Sequence, residues 1–236
     1  MSAAKDKDFS GLYRKIYGSY IDVTNSEKTV DNYSKLAESY EEDFVGMGYD
    51  TPQVLASEAL KLLQETKKDL DNCKILDIAC GTGLVAQGLR NDGFKGSIDG
   101  IDGSEGMLKI AEEKGLYQIL KEQFISIDKP ILFDDNSYDA IVCCGGFGPG
   151  HLIPAALQDL IRVTKSGGLI VYSTRYNEAA DAYVKELTNE AEALVTQNKW
   201  EKVKIFLAPY FCVDLSASEE KKSKPLLASI YCYRKK

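Results

Sequence analysis

Between Lys74 and Thr174 short apolar runs alternate with segments of helical periodicity, and this alternation narrows the chain to very few folds. Lys74 to Ile78 is apolar and short, a glycine turn follows, and a helix begins near Leu84. "SIDGID" reads as a second strand and "SEGMLKIAEEKG" as a helix, with Ser104 near its N-cap and Gly115 as its stop. "QFISI" is a weak third strand and "YDAIVCCGG", from Tyr138, a strong fourth. "PAALQDLIRVTKSGG" starts with Pro154 at a helix N-terminus and closes on a double glycine, after which "LIVYST" supplies a fifth strand. Short, continuously apolar strands separated by helices imply a parallel sheet covered on both faces.

The flanks depart from this rhythm. The first fifty residues are rich in tyrosine (Tyr13, Tyr17, Tyr20, Tyr33, Tyr40, Tyr49) and weakly periodic, as expected of helical cap material. Thr51-Pro52 looks like an N-cap followed by proline at the first helical position. Val54, Leu55, Ala59, Leu62 and Leu63 then recur at helical spacing, in a helix expected to reach about Asp69. At the other end a long helix, roughly Asn177 to Asn198, precedes "WEKVKIFLAPYF" and "LLASIYCYRKK", joined by the polar loop "SASEEKKSKP". With no crossover helix between them, these two strands should pair antiparallel. The expected architecture is an α/β, seven-stranded, doubly wound, mostly parallel sheet with an antiparallel C-terminal hairpin. Residues 1–50 form its N-terminal helical cap, which is not independent, and residues 51–236 the domain.

The 236 residues suffice for one well-buried domain. With 36 acidic against 29 basic side chains the net charge is −7, which opposes phosphate backbones; the one dense basic cluster is the Arg234-Lys235-Lys236 tail. Nucleic acid is therefore not the expected partner. "MSAAKDKDFS" carries charges where a secretory leader needs an apolar run, and no stretch approaches the 18 apolar residues of a membrane span, so a cytosolic (cytoplasmic) protein with no membrane partner is expected. The six cysteines include no C-x-x-C and read as reduced, buried side chains.

The glycine turn "ACGTGLVA" admits two kinds of nucleotide. Gly81 to Ala86 fits the G-x-G-x-x-(G/A) turn that holds a dinucleotide pyrophosphate, and Asp102, 19 residues after Gly83, sits where an acidic side chain accepts hydrogen bonds from ribose hydroxyls. Asp77, four residues ahead of Gly81, breaks the tie by charge. A carboxylate there repels a pyrophosphate and attracts a ligand with an ammonium group; an aspartate that merely caps the turn's own N–H groups would look the same in sequence.

"ILDIACGTG", "IDGIDGSEGML", "YDAIVCCGGF" and "TKSGGLIVYST", in that order and spacing, resemble the motifs of class I S-adenosylmethionine-dependent methyltransferases. "YSKLAESYEEDF" in front, "GPGHLIP" after the fourth strand and the aromatic C-terminal hairpin make the pattern similar to the methyltransferase-like proteins of the Williams-Beuren region. The resemblance implies a Rossmann-like methyltransferase fold and S-adenosyl-L-methionine as cofactor, with S-adenosyl-L-homocysteine as product. It places Asp77, Ala79, Cys80, Gly81 and Gly83 under the methionine part, Asp102 on the ribose, and Gly103, Ser104 and Met107 beside the adenine. Cys143 to Phe147 fall on the strand end bordering the reaction centre, while Asp128 matches the family's adenine-binding aspartate only loosely. Ala79 stands where the family usually has glycine, and its methyl group is expected to need a negative φ.

On the acceptor side His151, the one histidine, follows the fourth strand on the sheet edge where open α/β sheets bind ligands, and is the candidate base or acceptor-binding group. A histidine packing against the following helix is the plainer reading. Tyr33 and Tyr40, seven residues apart, share one face of a cap helix; either they close over the cofactor, where aromatic faces favour a cation, or they anchor that helix to the domain. Asp134-Asp135-Asn136 reads as a solvated turn, and no metal is expected. The expected function is methyl transfer from S-adenosylmethionine to nitrogen or oxygen of a small-molecule acceptor. A protein methyltransferase and a cofactor-binding scaffold without activity are the alternatives.

Overall fold

The computed structural model describes residues 21, 22, 24–66, 69–126, 128–176, 181–211 and 226–236. The first twenty residues, the start of the helix expected at Asn177, Cys212 and the "SASEEKKSKP" loop lie outside them. Helix α1 (Ser26–Gly46) and α2 (Thr51–Gln64) precede β1 (Lys74–Ile78), α3 (Leu84–Asn91), β2 (Ser97–Asp102), α4 (Glu105–Glu113) and β3 (Ile119–Glu122). Then come β4 (Tyr138–Phe147), α5 (Ala156–Val163), β5 (Thr164–Tyr176), α6 (Asp181–Thr196), β6 (Trp200–Phe211) and β7 (Leu226–Lys235).

The strands form one seven-stranded sheet in the order β3-β2-β1-β4-β5-β7-β6. β1 pairs in parallel with β2 and β4, and β7 enters antiparallel between β5 and β6. Side chains alternate across the sheet with a period of two. Ile75, Val142 and Val171 face a core under α2 and α3, whereas their neighbours Leu76, Ile141 and Ile170 face a second core under α5 and α6. Each such fully buried aliphatic side chain stabilises the fold by about 1.5–3 kcal/mol. A third cluster joins the cap to the sheet: Phe44, Met47 and Tyr49 pack with Met107, Tyr210 and Phe211.

Three local expectations differ from the structure. The third strand is Ile119–Glu122 rather than "QFISI", whose Ser126 makes only an isolated bridge to Lys129. At a sheet edge a strand needs little apolar character, so polarity hid β3, while the apolar run beside it turned out to line a cleft. Thr51 does not cap α2; its hydroxyl donates to the Pro209 carbonyl at 2.7 Å, and Asp50 takes the N-cap position without a side-chain bond. The helix also stops at Gln64. By contrast Ser104 caps α4 as expected, accepting from the Met107 N–H at 3.2 Å, and Gly115 follows with φ +61°.

Helix α1 is capped by Asn25, whose side chain accepts from the Lys28 N–H, and it lies across α4. Gly106 makes that crossing possible. A Cβ there would lie 2.3 Å from the Ser34 carbonyl oxygen, and alongside it the hydroxyls of Ser34 and Ser104 meet at 2.8 Å. The cap thereby sits over the C-terminal ends of β1 and β4, where the strand order reverses and open α/β sheets bind ligands.

Candidate active-site cleft

A cleft opens at this reversal point, with about 930 Å³ of space between its walls and the adjoining solvent. Its floor is made of strand ends: Ala79 and Gly81 after β1, Asp102 and Gly103 at β2, Cys144 to Gly146 in β4, and Arg175 in β5. Gln123 to Ile125, just past β3, close one end, and α1 roofs the cleft with Val30, Tyr33, Tyr40 and Phe44. A recess of about 290 Å³ continues it under the glycine turn, bordered by Cys80, Thr82 and Leu84 at the start of α3 and sharing Tyr40, Tyr49, Ala79, Gly81 and Cys144 with the main cleft.

The backbone of the turn is cut to leave this space. Gly81 has φ +54°, and nothing lies within 4 Å of where its Cβ would stand. Ala79 also adopts the left-handed region, at φ +52°, which corrects the expectation of a negative φ. For a residue with a Cβ this conformation costs roughly 1–2 kcal/mol. Room for the Ala79 methyl comes from Gly146 on the neighbouring strand, where a Cβ would approach it to 2.9 Å. Gly83, at φ +90°, is set by a different neighbour: a Cβ there would meet the Tyr117 ring at 3.1 Å.

Asp102 ties the turn to β2. One carboxylate oxygen accepts from the Gly81 N–H at 2.8 Å and the other from the Ser104 N–H at 2.8 Å. Burial raises its pKa, against the backbone N–H groups, which favour the charged form. A carboxylate has about four acceptor sites, more than these backbone N–H groups use, so it can still accept from a hydroxyl in the cleft. Asp77 behaves differently. It is wholly buried behind the turn and does not line the cleft; Tyr117 donates to one of its oxygens at 2.7 Å and the other has no partner. Burial pushes its pKa up to about 7, with a smaller push from the Asp102 charge. The carboxylate expected to face a ligand therefore faces a tyrosine.

At the other end His151 reaches the cap. Its Nδ1 lies 3.0 Å from the Pro149 carbonyl oxygen, which can only accept, so Nδ1 carries the proton and Nε2 accepts from the Tyr33 hydroxyl at 3.2 Å. The Ser26 hydroxyl donates to the His151 carbonyl at 3.1 Å. Burial, with the nearby Arg175 charge, lowers the histidine pKa to about 4. Tyr33 and Tyr40 meet edge to face with centroids 6.0 Å apart, so the seven-residue spacing does bring them together.

A family profile described as "Methyltransferase domain" matches residues 75–168. Methyltransferase-like protein 27 of Homo sapiens is 35% identical over 169 residues, covering 72% of this chain and 66% of that protein. The chain belongs to the class I S-adenosylmethionine-dependent methyltransferases. The demethylmenaquinone methyltransferase of Staphylococcus carnosus (strain TM300) is 32% identical over 152 residues, 61% of this chain and 59% of that protein. The chain thus spans about two thirds or less of the length of these two relatives. Among solved structures the [4+2]-cyclase SpnF, 18% identical, superposes with a TM-score of 0.62 over 92% of this chain and 98% of that one, which shows a shared fold.

For a class I methyltransferase the family and fold imply an S-adenosylmethionine-type cofactor, and the residues present fit one. The recess holds an unpartnered buried hydroxyl on Thr82 beside the start of α3, where free backbone N–H groups favour a carboxylate. Of the residues expected at the site, Tyr33, Tyr40, Ala79, Gly81, Asp102, Gly103, Met107 and His151 line the main cleft, and Cys80 the recess. Asp77, Gly83, Ser104 and Cys143 do not. Gly83 and Ser104 are the N-caps of α3 and α4, and Asp77 underlies the turn. Cys143 points into the core under α5, so the strand's alternation hands the cleft to Cys144. Asp128 is exposed and away from the cleft, whose wall at that point is Gln123 to Ile125. Arg175, Tyr49 and Tyr210 also line it. For Arg175 a signal was present: a charged residue following directly on an apolar strand at its ligand-binding end. Tyr49 and Tyr210 carried none.

Proposed function

We propose that this methyltransferase binds S-adenosylmethionine in the cleft and transfers its methyl group to nitrogen or oxygen of a small molecule. The observation that carries the reading is Asp102, a half-buried carboxylate able to accept from a ligand at the β2 end of a cleft whose far end lies under β4, β5 and the cap. In this reading Asp102 accepts from the ribose hydroxyls, Gly103, Met107 and Phe124 flank the adenine, and the Thr82 recess takes the amino acid head. When bound, the cofactor supplies an electrophilic methyl group, to which the acceptor's lone pair bonds as the carbon–sulfur bond breaks and its electrons stay on sulfur.

The chain's own share is positioning, which can supply on the order of 7–11 kcal/mol when reacting atoms are held about 3 Å apart. Tyr33, Tyr40 and Tyr49 exclude water above the β4 end, and their aromatic faces favour a cationic sulfur. His151 suits a positioning role rather than that of base: its free lone pair is engaged by Tyr33 and its pKa of about 4 leaves little affinity for a proton near neutrality. The roofed cleft supports a small acceptor over a protein side chain.

Incubation with S-adenosylmethionine and a panel of small amines, phenols and carboxylates, read by a coupled assay for S-adenosylhomocysteine, tests the activity. Turnover of at least one acceptor, abolished in Asp102→Ala, is the expected result. Cofactor binding without turnover of any acceptor, with methylation of a protein instead, would replace the small-molecule reading.

A further inference from the structure

The acceptor end of the cleft carries a fixed positive charge. Arg175 is 7% exposed, it lines the cleft, and it comes from the C-terminal end of β5. In the sheet order β2 and β5 are separated by β1 and β4, and at a strand spacing of about 4.8 Å this sets Arg175 roughly 14 Å from Asp102 across the sheet. Arg175 thus lies at the β5 end of the cleft, three strands from the carboxylate assigned to the ribose. His151 stands beside it: a Cβ on Gly148 would lie 3.6 Å from Arg175 Nη2 and 3.7 Å from His151 Nδ1. Among the described residues of the main cleft Asp102 is the one acidic side chain, at the opposite end. Tyr33, Tyr49, Cys144 and Leu152 line the same cleft without adding an acidic group.

We infer that the acceptor is a small molecule bearing a carboxylate, seated by Arg175 at the β5 end. This rests on the methyltransferase reading. A guanidinium has five N–H donors in a planar fork that matches a carboxylate bidentately, and Arg175 also makes contacts within the protein. An anion is otherwise poorly served by a chain of net charge −7, which makes a buried cation in the cleft wall the dominant local attraction for one. His151 adds no competing charge, because it is neutral near pH 7 and its protons and lone pair are engaged by Pro149 and Tyr33.

The test uses protein saturated with S-adenosylhomocysteine and matched probe pairs on three skeletons: benzoate and benzamide, indole-3-acetate and its amide, hexanoate and hexanamide. Titration calorimetry should show at least one carboxylate binding about tenfold or more tighter than its amide. Arg175→Leu should abolish that preference and Arg175→Lys keep part of it, with S-adenosylhomocysteine affinity within about twofold of wild type in both. If Arg175→Leu loses its cooperative thermal transition, the wild-type pairs and Arg175→Lys decide. The inference fails if no carboxylate binds, if every pair binds equally, or if the preference survives in Arg175→Leu. It also fails if the variants lose S-adenosylhomocysteine affinity, which would place the guanidinium on the cofactor's own carboxylate. Absence of S-adenosylhomocysteine binding to wild type would overturn the methyltransferase reading itself, an outcome distinct from these.

Discussion

The two ends of the cleft are built by different means. At the β1–β2 end most of the groups come from one continuous stretch, Ala79 to Met107, joined by Gln123 to Ile125 past β3, and much of the work is done by backbone: left-handed turns at Ala79, Gly81 and Gly83, and two N–H groups that hold the Asp102 carboxylate. At the β4–β5 end the groups come from the cap, the loop after β4, β5 and β6, and they meet through side chains: Tyr33 with His151, Arg175 beside His151, and Tyr210 against Tyr49 at 4.9 Å. A site assembled by backbone in one segment is rigid and can be recognised from local spacing. One assembled by distant side chains can be re-specified by a few substitutions, and this is the end proposed to meet the acceptor.

The largest expected effect lies at the first end. Asp102→Ala removes acceptors for ribose hydroxyls, each hydrogen bond to a charged group being worth about 1.5–3 kcal/mol. S-adenosylhomocysteine affinity should therefore fall by roughly 100-fold or more by calorimetry. A loss under tenfold would show that the two ends share the cofactor differently. Next comes Asp77, whose folded pKa of about 7 stands above the unfolded value of 3.8. Its contribution is fully present below about pH 4 and is lost as pH rises through 7, so ligand-free wild-type stability should decline over that window. In Asp77→Asn the decline should flatten, giving a relative gain on the order of 3–4 kcal/mol at pH 8 in denaturant unfolding. Parallel pH profiles for the two proteins would remove Asp77 from the electrostatic account.

Gly106→Ala probes the joint between the cap and the sheet. Its Cβ would overlap the Ser34 carbonyl, so α1 must shift, at a cost of about 1–3 kcal/mol, and limited proteolysis of the cap should speed up while S-adenosylhomocysteine stays bound. Tyr33→Phe removes the donor that favours neutral His151, worth about 1 kcal/mol, and should raise the histidine pKa from about 4 by roughly 0.7. The chain has a single histidine, so its ring resonance in a proton NMR titration reports this without assignment. The smallest effect is expected at Ala79→Gly. Relief of the left-handed conformation, less the entropy of glycine, should stabilise the protein by roughly 0.5–1 kcal/mol in thermal unfolding.

The same contrast decides what could be read from the amino acid order. The parallel strands β1, β2, β4 and β5 were legible because strands buried on both faces are continuously apolar. Asp102 and Gly81 were legible because the chemistry of a strand–glycine–helix turn is local. β3 lies before the expected "QFISI" because an edge strand carries no such signature, and Gln123 to Ile125 of that run form a cleft wall. Cys143 and Cys144 both fall on the stretch expected at the site, and only the pairing of β4 decides that Cys144 turns toward the cleft. Ala79 was expected at negative φ because the space granted by Gly146 depends on the pairing of two strands. Tyr49 and Tyr210 converge on the cleft only through the sheet order.

The central claim is that this turn holds a cofactor with an amino acid head and not a pyrophosphate. Calorimetric titration of the wild-type protein with S-adenosylhomocysteine and, separately, with NAD tests it most directly. Saturable one-to-one binding of S-adenosylhomocysteine with no measurable binding of NAD is the predicted result; NAD binding as tightly or more tightly would contradict it.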